Sequence, residues 1–369
     1  MSTSSAKRIT AAMLQGSSHL HLLLLSDGRP GHVNLSEGIA AAIARRRPVK
    51  THRIEVRRGR WPGRVVAALV NANVAPHRIL RIVYKLDADT LPHADLVVSA
   101  GAETLAANVA AARFKSIPNV FYGSLRQFRP ADFTLVLSSY AGRTDAPNRV
   151  RVLKPSAIDP DTLVRPASRS NGGRGPAPAV AGLLIGGDSG EFVYAESDWR
   201  GLLDFLTAAH RAFGTRWLAT NSRRTPPDIG DRLAALVRGG DPAFSTFIDV
   251  RSPGSGTLRQ VFEQAEVVVC TDDSSTMVSE AISARLPVVG LSPLAHRFTA
   301  AEQNYRDFLA ANGWYRSLPI AGLTPDGFAA VLGDITPIAY NPLDRLADVL
   351  DGRLPELFLR KKIGGKKVE

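Results

Sequence analysis

The sequence predicts an α/β protein of two doubly wound, Rossmann-like domains facing each other across a cleft, with helices at the C-terminus. Three observations carry this. Apolar runs of strand length alternate with helically spaced stretches through both halves of the chain, the pattern of a parallel sheet with helices on both faces. The rhythm breaks once, in the Pro-, Gly-, Ser- and Arg-rich DPDTLVRPASRSNGGRGPAPAV, and then restarts, as at a linker between domains. A length of 369 residues also exceeds what one core comfortably organises. The expected boundaries are an N-terminal Rossmann-like domain over 1–160, a linker over 161–178 and a C-terminal Rossmann-like domain over 179–335. A C-terminal helix and basic tail over 336–369 are expected to pack back on the first domain.

Taken in order, HLHLLLL reads as the first strand and runs into the turn SDGRPGH, after which VNLSEGIAAAIARR has helical spacing. KTHRIEV is the next strand, and WPGRVVAALVNANVAPHRILRIVYKL supplies one or two amphipathic helices. DLVVSAG, the helix ETLAANVAAARF, NVFYG and FTLVLSS complete the first half. The second half restarts with the strand AVAGLLIGG and the helix SDWRGLLDFLTAAHRAF, then RWLATNS and DIGDRLAALVRG. FSTFIDV, GTLRQVFEQA, EVVVC, STMVSEAISARL and PVVGLSP follow, and two or three further helices end in PLDRLADVLDGRLPELFLRK.

Composition excludes several classes. Apolar content of 44% and charged content of 22% describe a globular chain. The single cysteine, Cys270, excludes an internal disulfide and a cysteine-based zinc cluster and fits a reducing compartment; at the end of a valine run it reads as a buried thiol. No apolar run has bilayer-spanning length. The expected location is cytoplasmic, with peripheral attachment at the inner face of a membrane as an option; the composition before residue 20 is also compatible with a weak organelle address. Net charge is +12, and residues 1–169 hold 25 Lys and Arg against 11 Asp and Glu, whereas the remainder holds 21 against 23. The excess peaks in ARRRPVKTHRIEVRRGRWPGR. It reads either as a solvated face or as attraction to an anionic surface. No motif that reads RNA or DNA accompanies it.

In a doubly wound sheet, ligands lie beyond the carboxyl ends of strands, so the turns there are the places to search. LLIGGDSGEF sets Gly186, Gly187 and Ser189 after a strand, where backbone amides can approach a phosphate; a tight βα turn reads the same way. LATNSRRTPP places Asn221, Ser222, Arg223 and Arg224 at another strand end, groups that suit a pyrophosphate. In VVVCTDDSSTMVSEAISARLPVVGLSP, Asp273, Ser274, Ser275 and Thr276 open a helix whose N-terminus favours an anion. Asp273 or Ser275 alone could equally be a cap. Glu280 lies about one turn further on, placed to accept hydrogen bonds from vicinal ribose hydroxyls. Phosphate at the helix tip and ribose one turn away together describe a nucleoside diphosphate.

These segments resemble known families. VVVCTDDSSTMVSEAISARLPVVGLSP, LIGGDSGEF, LLLLSDGRPGHVNLSEGIAAAI and SAGAETLAANVAAARFKSIPNVFYG are similar to the donor-nucleotide and N-terminal segments of GT-B glycosyltransferases. The likeness is greatest to the family that adds N-acetylglucosamine to lipid-linked muramoyl-pentapeptide. A closer resemblance covers nearly the whole chain, through SDGRPGHVNLSEGIA, GGDSGEF, TNSRRTPP and TDDSSTMVSEA: the family of the plant mitochondrial-fission factor "elongated mitochondria" and its bacterial relatives. The first resemblance implies a GT-B fold and a nucleoside diphosphate sugar as donor, without a cofactor. SDGRPGH departs from it, with Arg29 and Pro30 in place of small residues, and leaves the acceptor open.

The expected activity is therefore metal-independent glycosyl transfer. Asp27 or His32 would take the acceptor's proton, although either could simply hold the turn. No metal site is expected: Asp87 and Asp89 in LDADTL fall outside a predicted strand end, and at Asp272 and Asp273 a phosphate is preferred to a cation. WPGRVVAALVNANVAPHRILRIVYKL suits either the core of the first domain or an anionic bilayer bearing a lipid-linked acceptor. The fission-family resemblance implies the alternative, an adaptor or nucleotide sensor that keeps the fold without catalysis.

Overall fold

A computed structural model of the chain describes residues 19–141, 146–165, 177–252 and 254–359. The stretch read for an organelle address, residues 166–176 of the expected linker, and the basic tail from 360 lie outside the described residues. The chain forms two compact units. One runs to Ala157 and resumes at Pro342, and the other is Ile158–Asn341. The boundary thus falls just before the proline-rich stretch, and the segment from Ile158 belongs to the second unit.

The first unit contains β1 (Leu20–Ser26), α1 (Pro30–Ala44), β2 (Val49–Glu55), α2 (Gly63–Asn71), α3 (Pro76–Tyr84), β3 (Leu96–Ala100), α4 (Leu105–Lys115), β4 (Asn119–Tyr122), β5 (Leu135–Ser138) and β6 (Arg149–Arg151). Its strands are all parallel in the order β2-β1-β3-β4-β5-β6. Helices cover both faces, which is why β3, β4 and β5 are buried at every residue and read as unbroken apolar runs. Leu23, Leu25 and Val97 meet Val66, Leu80 and Val109 on one face, and Leu22, Leu24 and Val98 meet Ile39 on the other.

The second unit contains β7 (Val180–Leu184), β8 (Phe192–Val193), α5 (Glu196–Phe213), β9 (Arg216–Thr220), α6 (Pro227–Arg238), β10 (Phe244–Ile248), α7 (Leu258–Gln264), β11 (Val267–Thr271), α8 (Ser275–Ser283), β12 (Val288–Ser292), β13 (Ala295–His296), α9 (Ala300–Ala311), β14 (Tyr315–Pro319) and α10 (Pro325–Leu332). Its parallel sheet has the order β10-β9-β7-β11-β12-β14, and β8 pairs antiparallel with β13. Both sheets are doubly wound, as expected. The chain reverses its direction of growth between β1 and β3 in one and between β7 and β11 in the other.

The last helices, α11 (Pro342–Arg353) and α12 (Pro355–Phe358), return to the first unit. Leu346, Leu350 and Leu357 join the core beneath α1. Part of the basic run holds them there: Arg45 pairs with Asp344 at 2.7 Å, Arg46 with Asp348, and Arg47 donates to the Leu357 carbonyl at 2.8 Å. Asp87 caps a short 3-10 turn by accepting the Asp89 amide at 3.1 Å. Among the described residues no helix is long and apolar enough to cross a membrane.

Candidate functional site

Each sheet gathers chemistry at its switch point, where loops leaving in opposite directions open a crevice. In the first unit the turn after β1 is shaped by Gly28 at φ +77°, whose amide donates to Ser26 Oγ at 3.0 Å. Pro30 starts α1, where a missing N–H costs nothing, and two residues later comes His32. His32 Nδ1 lies 2.8 Å from Asp27 Oδ2, and the Asp27 side chain is 3% exposed against 30% for His32. A buried carboxylate at that distance holds Nδ1 as the protonated nitrogen and leaves Nε2 as the basic atom. Gly101, after β3, has φ +91°, and a Cβ there would overlap the imidazole. The turns after β1 and β3 thus jointly fix the ring, and the two candidate bases form one dyad.

In the second unit the turns after β7, β9 and β11 converge. Gly186 donates its amide to Thr271 Oγ1 at 2.6 Å and Gly187 to Asp273 Oδ2 at 3.3 Å. A Cβ at Gly186 would overlap the Asp273 carboxylate, and one at Gly187 the Arg224 carbonyl. These amides, expected to be open to phosphate, are therefore already engaged. The glycines serve close packing of neighbouring turns. Asp273 is the hub: its fully buried carboxylate also accepts from Tyr194 OH at 3.1 Å and pairs with Arg224. Burial raises the carboxyl's pKa from its ordinary value, and burial followed by the charge of Asp273 raises that of the Tyr194 phenol.

The turn after β9 divides. Asn221 is buried; it donates to Asp249 at 2.8 Å and accepts the Val250 amide at 2.8 Å, so it braces the loop after β10 instead of facing a ligand. Arg251 holds the Asp249 carboxyl well below its usual range. Ser222 closes the turn by accepting the Arg224 amide at 3.2 Å and donating its own to Thr225, whose hydroxyl reaches the Gly186 carbonyl at 2.6 Å. Arg223 is exposed and has no ion-pair partner among the described residues.

A cavity of about 220 Å³ opens between the turns after β7 and β11, lined in part by Ser189, Gly190, Asp273, Ser275, Arg297 and Thr299. Two helices begin beside it. Ser274 caps α8 by accepting the Met277 amide at 3.4 Å, and Thr299 caps α9 by accepting the Glu302 amide at 3.3 Å. Both direct positive dipole ends toward the cavity. Of the four acids in its lining, Glu191 pairs with Arg297 at 3.0 Å, Glu302 accepts from Ser275 at 3.1 Å, and Asp272 and Asp273 are held by buried donors. Thr276, half-buried, lies on the first turn of α8, and Glu280, 8% exposed and already engaged, lies one turn further, outside the cavity lining.

The sequence, which paired Asp272 with Asp273 at the helix start, did not show the separate role of the hub's neighbour. Asp272 points inward, 1% exposed, and accepts from Tyr315 at 2.6 Å, Ser317 at 2.5 Å and Ser292 at 2.9 Å. Arg306, 4% exposed, donates to its carbonyl at 2.8 Å and stacks on Phe298 and Tyr315. Thr299 was also missed, although T-x-x-E before a helical run is a capping-box signature. Cys270 is fully buried and burial raises its thiol pKa, as suits a structural residue.

Compared with known proteins, residues 30–350 match the family model described as mitochondrial fission ELM1. No curated protein matches the chain in sequence. Among solved structures, the S. aureus MnaA–UDP co-structure is similar with a TM-score of 0.52 and 10% identity, over 94% of this chain and 100% of that one. MurG of Acinetobacter baumannii follows at 0.46 and 13%, over 90% and 99%. The glycotransferase of kitacinnamycin stands at 0.47 and 14%, over 91% and 99%. The likeness is one of fold.

Proposed function

This chain belongs to the mitochondrial fission ELM1 family, and with its GT-B-type fold as the second premise we propose that it is a metal-independent, nucleotide-sugar-dependent glycosyltransferase. The observation that carries the reading is the cavity at the second switch point, bordered by two capped helix N-termini and an arginine. Positive helix ends in a recess favour a phosphate, and the MnaA structure similar in fold is a complex with UDP. Ligand sites commonly enclose about 300–1,000 Å³. A cavity of about 220 Å³ therefore suits the diphosphate and adjoining sugar, with the nucleoside extending along α8 past Thr276. Glu280 is the carboxylate assigned to its ribose.

In the reaction, the charge that grows on the departing diphosphate is met by the N-termini of α8 and α9, fixed donors that need no reorganisation, and by the exposed Arg223 turning toward it; Arg224 stays with Asp273. The acceptor hydroxyl binds the first unit. His32 Nε2 takes its proton, and Asp27 stabilises the resulting imidazolium.

One observation favours the second reading, a nucleotide-sensing or non-catalytic adaptor: Asp273 fills the donors of the glycine-rich turn with the protein's own carboxylate. The test has two stages. Thermal shift with the diphosphates of uridine, guanosine, cytidine and adenosine should give stabilisation by at least one. Sugar release from the matching nucleotide sugars should then be lost in His32→Ala. Binding without release would establish a sensor, and no shift with any nucleotide would establish the adaptor.

A further inference from the structure

Between Val56 and Leu86 the chain carries seven Lys and Arg and no Asp or Glu. The structure divides these cations by use. Arg57 pairs with Glu55 at 2.6 Å and Arg58 with Glu103 at 2.7 Å. Arg60, Arg64, Arg78, Arg81 and Lys85 are exposed and have no ion-pair partner among the described residues.

Their placement follows from helix geometry. Val66, Ala67 and Val70 of α2, and Ile79, Leu80 and Val83 of α3, fix both helices against one core, and the two helices touch. The opposite faces are then forced outward. On α3 this face is Arg78, Arg81 and Ile82, at the i, i+3, i+4 spacing of a single stripe, and Lys85 follows as the exposed residue that ends the helix. On α2 it is Arg64, Val65 and Ala68, preceded by Trp61. Trp61, Val65 and Ile82 are 37%, 43% and 45% exposed. Gly59 lies beside the Val83 carbonyl, which brings the Arg60–Trp61 turn to the end of α3. Large aliphatic side chains and a tryptophan thus share one surface with five unneutralised cations.

We propose that this face of α2 and α3 docks on an anionic phospholipid bilayer. Cations near such a surface are attracted by its negative potential. Tryptophan settles at the headgroup level, and aliphatic side chains bury into the acyl boundary. A nucleic acid would account for the charge but leave Val65 and Ile82 without a partner, since bases stack on aromatic rings and not on aliphatic ones. Neither α2 nor α3 carries a carboxylate that an anionic sheet would repel. This docking is independent of whether the second unit binds a nucleotide.

The test is co-sedimentation of the full chain with vesicles of phosphatidylcholine alone and of phosphatidylcholine mixed with phosphatidylglycerol. Binding is expected only to the anionic vesicles and should weaken with added salt. Arg78→Ala with Arg81→Ala should weaken it about thirty-fold, the equivalent of roughly 1 kcal/mol for each cation near an anionic surface. Trp61→Ala should weaken it while leaving the salt dependence unchanged. Arg211→Ala with Arg238→Ala, which removes the same charge from exposed positions in the second unit, should leave binding as it was. Three results would overturn the proposal: no preference for anionic vesicles, equal losses in the two double variants, or binding to single-stranded RNA but not to vesicles. Circular dichroism of each variant separates lost binding from lost folding.

Discussion

Replacing Asp273 with asparagine keeps the shape of the hub and removes its charge. Asp273 borders the cavity with its carboxylate buried just behind the wall, where it accepts from Gly187, Tyr194 and Arg224, so any phosphate that enters lies close to an anion already holding those donors. A sphere of the cavity's volume has a radius of about 4 Å, which puts a phosphate at its centre about 6 Å from that carboxylate. At an effective dielectric of about 20, two unit charges at that separation repel by roughly 3 kcal/mol. Arg224 beside the carboxylate offsets about half of this, leaving about 1.4 kcal/mol, a tenfold change in affinity. Asp273→Asn should therefore bind the preferred nucleoside diphosphate about tenfold more tightly by isothermal titration calorimetry. The pH dependence has a definite sign. Burial raises the Asp273 pKa, and the repulsion exists only above it, where the group is charged. The ratio of variant to parent affinity should thus be greatest at high pH and fall toward one as the parent's carboxyl protonates. Comparing the two proteins in the same buffer cancels titration of the nucleotide's own phosphate. An affinity unchanged or weakened in the variant at every pH would refute the idea that the carboxylate competes with the ligand.

Gly101→Ala would force a Cβ into the His32 imidazole at a left-handed φ. The proton shared by His32 and Asp27, visible at low field by NMR, should disappear while nucleotide binding by the second unit persists. Asp272→Ala would strand the buried Arg306 guanidinium and three hydroxyls, and equilibrium denaturation should show a loss of about 3–5 kcal/mol. Glu280→Ala should weaken nucleoside diphosphate binding at least about tenfold, the scale of a lost hydrogen bond to a charged group, yet leave inorganic pyrophosphate binding unchanged. Equal loss for both ligands would remove Glu280 from the ribose.

What the sequence made legible was whatever burial writes locally. β1, β3, β7, β11 and β12 are covered on both faces and announce themselves as runs such as LVVSA and VVVCT. β6 and β14 do not: both lie at sheet edges, and RVR and YRSLP are short segments without a buried apolar run. Missing β14 had a consequence at the site. Tyr315 and Ser317 on that strand draw Asp272 inward, so two adjacent acids in TDDSS take opposite fates, one into a buried network and one into the glycine-rich turn. The same blindness affected the glycines. Local sequence marks Gly186 and Gly187 as a turn that needs small residues, and that is correct. The reason for the need lies in Asp273 and Arg224, residues dozens of positions away that no spacing rule connects. A phosphate-binding turn and a turn packed against its own carboxylate are written with the same letters. Only the direction in which the Gly187 amide points tells them apart, and here it points at the anion the protein itself supplies.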